Sequence, residues 1–249
     1  IFREINLELL VEEQKLNAEY NRLLGSQSVL WEGAERTASQ MRALLFEKDR
    51  ALREKAWRAA VDARLKSRAD VNDLWKKFMA VRLKIARNAG LPDYRSYVWA
   101  QRFRFDYSPE DCKTFHKAIE EMVVPAVKRI YEKRVKKLGT ESVRPWDQFV
   151  DISNASPLKP YQTVDEFKSK TKDIFTKVDP KFGEYFQMLM DENLLDLDSR
   201  KNKAPGAYNL FYGVSRRPFI FINNSGTHED VSTLLHEGGH AFHAFEALV

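Results

Sequence analysis

One cysteine in 249 residues leaves Cys112 without an internal partner. No disulfide framework supports the chain, and a reducing, cytoplasmic setting is expected. No apolar run approaches the roughly 18 residues a helical membrane span requires, so a membrane partner is not expected. The opening Ile1-Phe2-Arg3-Glu4-Ile5 lacks the basic flank, long apolar stretch and cleavage site of a signal peptide. It does not begin with Met either, so a fragment or a processed chain is expected. There is no internal repeat and no low-complexity segment.

Hydrophobic residues make up 43% of the chain and charged residues 31%, the balance of a folded globular protein rather than a disordered or fibrous one. The length suits one large domain or two modest ones. The net charge of +5 invites a nucleic-acid reading, and the densest basic stretch runs from Lys128 to Lys137. Ile130, Tyr131, Val135 and Leu138 thread that stretch at near-helical spacing, which places the cations on the outer face of an amphipathic helix. No zinc-finger spacing or RNA-binding signature accompanies it, so no nucleic-acid partner is expected.

Residues 1 to about 140 read as helix after helix. Leu74, Phe78, Val81 and Ile85 form one stripe of a helix that should stop at Gly90, before Pro92. Ser108-Pro109-Glu110-Asp111 has the composition of a helix start, with a capping hydroxyl, a first-turn proline and acids at the positive end of the dipole. That helix should turn Phe115, Ile119, Met122 and Val123 inward, kink or break at Pro125, and end at Gly139.

The texture changes after Trp146-Asp147, which divides the chain into an expected helical lobe, 1–145, and a second region, 146–249. Ser153 to Pro160 reads as a loop. Thr163-Val164-Asp165-Glu166 has the form of a capping box and precedes a face of Phe167, Ile174, Phe175 and Val178. Asp179-Pro180 opens a further helix with Phe182, Phe186, Leu189 and Met190 inside. After a polar loop over 199–207, Tyr208–Gly213 and Pro218–Asn223 read as two short strands. Phe219 to Asn223 is expected to offer backbone groups to an extended peptide by strand addition. Thr227-His228-Glu229-Asp230 caps a last helix that should run through Leu248.

On that helix lies His236-Glu237-Gly238-Gly239-His240. Histidines four apart project from one helix face, about 40° apart around the axis. Two imidazoles so placed can close on a tetrahedral ion, which favours zinc. Glu237 then lies beside the ion, where it can take a proton from water and pass it to a leaving amine. Gly238 and Gly239 each cost a helix about 1 kcal/mol relative to Ala, so something is expected to approach closely. His243 shares the face but sits nearly a turn too far along, either contacting substrate or serving no special purpose. Glu246 is rotated about 80° away from His236 at a rotation of about 100° per residue, which disfavours it as a third ligand. His228 and His116 have no constellation around them.

The run Thr233-Leu234-Leu235-His236-Glu237-Gly238-Gly239-His240-Ala241-Phe242-His243 resembles the zinc helix of the M3 (thimet oligopeptidase-like) metallopeptidases, in particular their oligoendopeptidase F branch. Gly239, His240 and His243 match the family's usual HExGHxxH pattern, and Gly238 stands where a larger residue is common. Ala204-Pro205-Gly206-Ala207-Tyr208 and Pro218-Phe219-Ile220-Phe221-Ile222-Asn223 resemble the family's glycine-bearing loop and the strand bordering its groove. Fainter similarities are Ala89 to Tyr94, Asp106 to Asp111, and Leu138-Gly139 leading to Trp146-Asp147.

The resemblance implies a mainly α fold, a helical two-lobed oligopeptidase shell with a small β-hairpin or sheet beside the zinc helix. It implies a metalloendopeptidase that hydrolyses short peptides, with residues 146–249 forming the start of its catalytic lobe. His236 and His240 would be zinc ligands and Glu237 the general base, with His243, Tyr208, Gly206 and Phe221 lining the substrate groove. The family's third ligand, a glutamate on the following helix, is expected from a C-terminal part of the same enzyme beyond residue 249. The chain alone would then be inactive, with apolar surface bare near Phe242 and Phe245. The rival reading is a non-catalytic helical binding fragment.

Overall fold

The computed structural model describes residues 1–153 and 155–247, so the expected helix end at Leu248 lies outside the described residues. In chain order the principal elements are α1 (Leu7–Gly25), β1 (Ser28–Trp31), β2 (Ala34–Thr37), α2 (Ala38–Ala43), α3 (Arg50–Leu65), α4 (Arg68–Asn88) and α5 (Tyr94–Gln101). They continue with α6 (Pro109–Ala118), α7 (Val124–Leu138), α8 (Val164–Val178), α9 (Pro180–Asp191), β3 (Leu195–Asp196), β4 (Tyr208–Tyr212), β5 (Arg217–Phe221) and α10 (His228–Glu246). The fold is mainly α with small sheets. It divides into two compact units, one of Ile1–Leu23 with Arg64–Arg144, the other of Leu24–Ala63 with the described residues from Pro145 onward.

In the first unit α4 buries Leu74, Phe78, Val81 and Ile85 against Leu16 and Tyr97, the stripe that its periodicity predicts. α4 ends as expected at Gly90 (φ 73°). Gly90 donates to Arg87 O and Leu91 to Ala86 O, the paired bonds of a Schellman stop. The buried Asn6 side chain donates to Ile85 O at 3.0 Å and accepts from Asn88 at 2.8 Å. The Ser108 cap forms with Asp111 returning to the Ser108 amide.

Pro125 does not break the chain's helical course. The turn over Ile119–Val123 widens to a π-helix, with the Val124 amide reaching back to Ile119 O. A wider turn makes room for a ring that would strike the carbonyl four residues earlier. The inward face expected here is not inward: Phe115 is 66% exposed, Met122 73% and Val123 48%. Ile130 and Tyr131 on the basic helix α7 are exposed as well. The spacing identifies an apolar face, but no element of this unit covers it.

The second unit contains a hairpin where only helices were expected. β1 pairs antiparallel with β2 from Ser28↔Thr37 to Trp31↔Ala34. Glu32 (φ 52°) and Gly33 (φ 82°) form its two-residue turn, the positive-φ pair of a type I′ connection. Val29 and Trp31 pack with Met41, Leu45, Ala56 and Trp146. Asp147, wholly buried, accepts from Arg53 Nη2 at 2.9 Å and from Arg50 Nη2 at 3.0 Å.

α8 begins at Thr163, whose side chain accepts from the Glu166 amide. Glu166 reaches back to the Gln162 amide instead of that of Thr163. The buried face of α8 is Phe167, Thr171 and Phe175, with Ile174 37% and Val178 69% exposed. The helix turns Phe175, not those two, toward Phe186 of α9 and Phe242 of α10.

β5 is the middle strand of a three-stranded sheet ordered β3-β5-β4. It runs parallel to β3 and antiparallel to β4. Ile220 and Ile222 join Leu234, Ala241, Phe242 and Phe245 of α10 in the core. Phe242 stacks on Phe182 and Phe245 on Tyr185, so the bare surface expected at these two phenylalanines is covered by α9.

Candidate active site

The start of α10 is held from several sides. Asp230, buried, accepts from the Thr227 amide at 2.7 Å, the Ser225 amide at 2.9 Å and the Tyr161 hydroxyl at 2.6 Å. Gly226 (φ 84°) makes the turn before it and donates to Tyr161 Oη at 3.0 Å. Burial, then the neighbouring Asp230, pushes the Tyr161 hydroxyl far above the usual tyrosine range, so it stays a donor.

From this start the helix presents His236, Gly239, His240 and His243 to solvent and turns Leu234, Glu237, Gly238, Ala241 and Phe242 inward. His236 Nε2 and His240 Nε2 stand 3.2 Å apart, with ring planes at 88°. A tetrahedral zinc ion with metal–nitrogen distances of about 2.0–2.1 Å asks for two nitrogens about 3.3 Å apart, so the pair fits such an ion. Glu237 is 8% exposed and takes no hydrogen bond from the described residues.

The two glycines differ. A Cβ at Gly238 would meet Phe175 Cζ at 2.5 Å, whereas one at Gly239 would meet nothing within 4 Å. The close approach expected of the glycine pair is therefore made by α8 at Gly238, and Gly239 leaves the histidine face open. Glu246 is occupied elsewhere: it accepts from Tyr185 Oη at 2.8 Å and from Lys181 Nζ at 2.6 Å. Among the described residues no group of three or more His, Cys, Asp or Glu side chains is placed to hold a metal ion.

Next to α10 lie β4 and β5. Since β5 is paired on both sides, its backbone cannot take up a peptide; the edge belongs to β4, whose outer side is unpaired among the described residues. Pattern alone shows that two strands exist, not which is central, because the second neighbour of β5 is the two-residue β3. Tyr208, 43% exposed, begins β4 and stacks on Phe221 at 4.7 Å and 9°. Phe221 is itself buried. Gly206 (φ 99°) precedes the strand, and its carbonyl and that of Ala204 accept from Asn223 Nδ2 at 3.0 and 2.8 Å.

Residue patterns did not single out Lys203 and Asn223. In the sequence Lys203 is one more charge in a polar loop, and its buried partners are Asp196 in β3, Asp198 just beyond it, and Ile222 just past β5. A separate cleft of about 750 Å³ opens at the N-terminal end of α10, lined by Tyr161, Gly226, Thr227 and His228 among others. It contains neither His236 nor His240. No helix of the described residues is long and apolar enough to cross a membrane.

The chain is similar in sequence and in fold to known peptidases. The sequence pattern of peptidase family M3 matches residues 43–248. An oligoendopeptidase F homolog of Mycoplasma pneumoniae is 26% identical over 239 residues, 90% of this chain and 37% of its own. The chromosomal oligoendopeptidase F of Lactococcus lactis subsp. cremoris is 26% identical over 121 residues, 49% of this chain and 19% of its own. Among solved structures, an oligoendopeptidase F of Bacillus anthracis str. Ames superposes with a TM-score of 0.90 at 27% identity, covering 97% of this chain and 44% of that one. A PZ peptidase A solved with an inhibitor gives a TM-score of 0.90 at 29% identity, over 97% and 43%. The chain thus spans less than half the length of the relatives it matches. With the matched region enclosing the His236–His240 helix, the chain belongs to peptidase family M3.

Proposed function

We propose that this chain carries the metal-binding helix and the substrate-bordering strand of a zinc-dependent endopeptidase that hydrolyses short peptides. The observation that carries this reading is the pair of Nε2 atoms 3.2 Å apart on an exposed helix face, with Glu237, which has no hydrogen-bond partner among the described residues, between them in sequence. Family membership and relatives described as oligoendopeptidases support it.

His236 and His240 would hold zinc through Nε2, with the third ligand supplied from outside the described residues by the C-terminal part of the same enzyme. When bound, zinc supplies Lewis acidity, polarising the scissile carbonyl and lowering the pKa of water to about 7. The Glu237 carboxylate takes a proton from the attacking water as the new C–O bond forms, then delivers it to the amine as the C–N bond breaks. The open face at Gly239 lets a peptide backbone approach. The unpaired edge of β4, beginning at Tyr208 behind Gly206, accepts that backbone by strand addition. Phe221 supports the Tyr208 ring, and His243 stands one turn further along the same face. The substrates proposed are short peptides, not nucleic acid, and the compartment the cytoplasm.

The test is Glu237→Gln in the full-length enzyme, assayed on quenched fluorescent peptides. Turnover should fall by about 100-fold or more with zinc content unchanged, since a base is removed and no ligand is. Zinc and activity lost in parallel would sink the assignment.

A further inference from the structure

We infer that Lys203 is a positioning residue for the substrate-binding edge: its buried ammonium ties β3, the end of β5 and the loop that delivers β4 into one rigid unit. The inference rests on the proposed peptidase reading. The Lys203 side chain is 1% exposed. Its Nζ lies within hydrogen-bond reach of four oxygens: Ile222 O at 2.6 Å, Asp198 O at 2.7 Å, Asp196 O at 3.0 Å and Asp196 Oδ1 at 3.0 Å. An ammonium has three protons to give, so this cage satisfies it completely, and the Phe221 ring centroid lies 4.4 Å away.

The same loop is pinned on its other sides. Asn202 donates to Gly25 O at 2.8 Å, and a Cβ at Gly25 would meet the Lys203 carbonyl oxygen at 2.7 Å. Beside the cage, Asn223 holds the Ala204 and Gly206 carbonyls, so consecutive residues of one chain segment fasten both ends of the loop. Tyr208 follows two residues after Gly206.

A buried ammonium is a poor way to gain stability, because an apolar side chain of similar volume avoids the desolvation. What it provides is direction: three carbonyls and a carboxylate must converge on one point. Burial pulls the amine's pKa down, and the hydrogen bond it donates to Asp196 opposes that pull. Of the sheet's two edge strands, β3 and β4, β4 is the one that packs against α10. Fixing where that edge begins fixes how a peptide would lie across His236 and His240.

The experiment uses the full-length enzyme with wild type, Glu237→Gln and Lys203→Ala side by side. Lys203→Ala should raise KM for a quenched peptide about tenfold or more and leave kcat within about threefold, as expected for contacts made alike in ground and transition states. Added n-propylammonium, which replaces the missing atoms, should restore KM, while 1-propanol should not. An unchanged KM, a loss confined to kcat, or equal rescue by propanol would overturn the assignment. If Lys203→Ala does not fold, Lys203→Met, which keeps the apolar stem over Phe221, takes its place: a raised KM supports the assignment and an unchanged KM overturns it. Failure of both to fold would make Lys203 a stability element and overturn its positioning role. Wild-type enzyme without metal-dependent cleavage, or Glu237→Gln with full activity, would instead refute the peptidase reading itself.

Discussion

The Phe175 ring of α8 rests against the bare backbone of Gly238, with Cζ 2.5 Å from where a Cβ would stand. Phe175 also meets Phe186 at 5.3 Å and Phe242 at 4.6 Å. The helix with the two histidines is thus seated on an aromatic cluster through its one core-facing glycine. The neighbouring Gly239 has open space instead.

This contrast separates two substitutions that look alike in sequence. Gly238→Ala should destabilise by about 1–3 kcal/mol, because a methyl group forced against a packed ring displaces it. Gly239→Ala should be neutral or stabilising by up to about 1 kcal/mol, from helix propensity alone. Its cost should appear in KM for peptides. Urea unfolding of both variants checks the first pair of values. Equal destabilisation would mean that the Phe175 contact is not what requires Gly238.

The buried Arg53–Asp147 pair gives the second prediction. Arg53 donates to Trp146 O, Glu47 O and Lys48 O as well as to Asp147, so its charge is anchored in place when the carboxylate is removed. Asp147→Asn should cost about 3–5 kcal/mol, the penalty of a buried charge left unpaired. Chemical denaturation reads it directly, and a loss below about 1 kcal/mol would show that the backbone carbonyls suffice.

Asp196 predicts an acid limb of stability. Hydrogen bonds from Arg200, helped by Lys203, hold its carboxyl below the usual aspartate range against the opposing effect of burial. A carboxyl lowered on folding contributes fully above its unfolded pKa of about 3.9 and loses that contribution as pH falls through the lower folded value. Asp196→Asn should therefore melt below wild type at pH 7, with the gap closing below about pH 4. A gap that persists unchanged at pH 2–3 would show that shape, not charge, is responsible.

Residues 1–249 expressed by themselves offer zinc two imidazoles, whereas a catalytic site wants three protein ligands and a water. Weak zinc binding and no cleavage of quenched peptides are expected. The uncovered Phe115, Met122 and Ile130 should make the fragment self-associate, readable by light scattering. Steady zinc-dependent cleavage abolished by Glu237→Gln would place the third ligand within these residues or on a second copy.

Local chemistry was legible wherever a short stretch determines its own outcome. The stop at Gly90, the cap at Ser108, the helix start at Thr227 and the shared face of His236 and His240 follow from neighbours within about one helical turn. The turn of the Glu32-Gly33 hairpin is local too, since Gly33 suits a positive φ. Tertiary structure alone decided the rest. It made β5 the central strand and β4 the edge, since strand order depends on the distant Leu195-Asp196. It covered Phe242 and Phe245 with α9 while leaving Phe115 and Met122 bare. Periodicity marks an apolar face without saying what packs on it. It also buried Lys203 among oxygens from positions 196, 198 and 222. A charge reads as solvent-facing in sequence until the fold supplies enough acceptors to replace water.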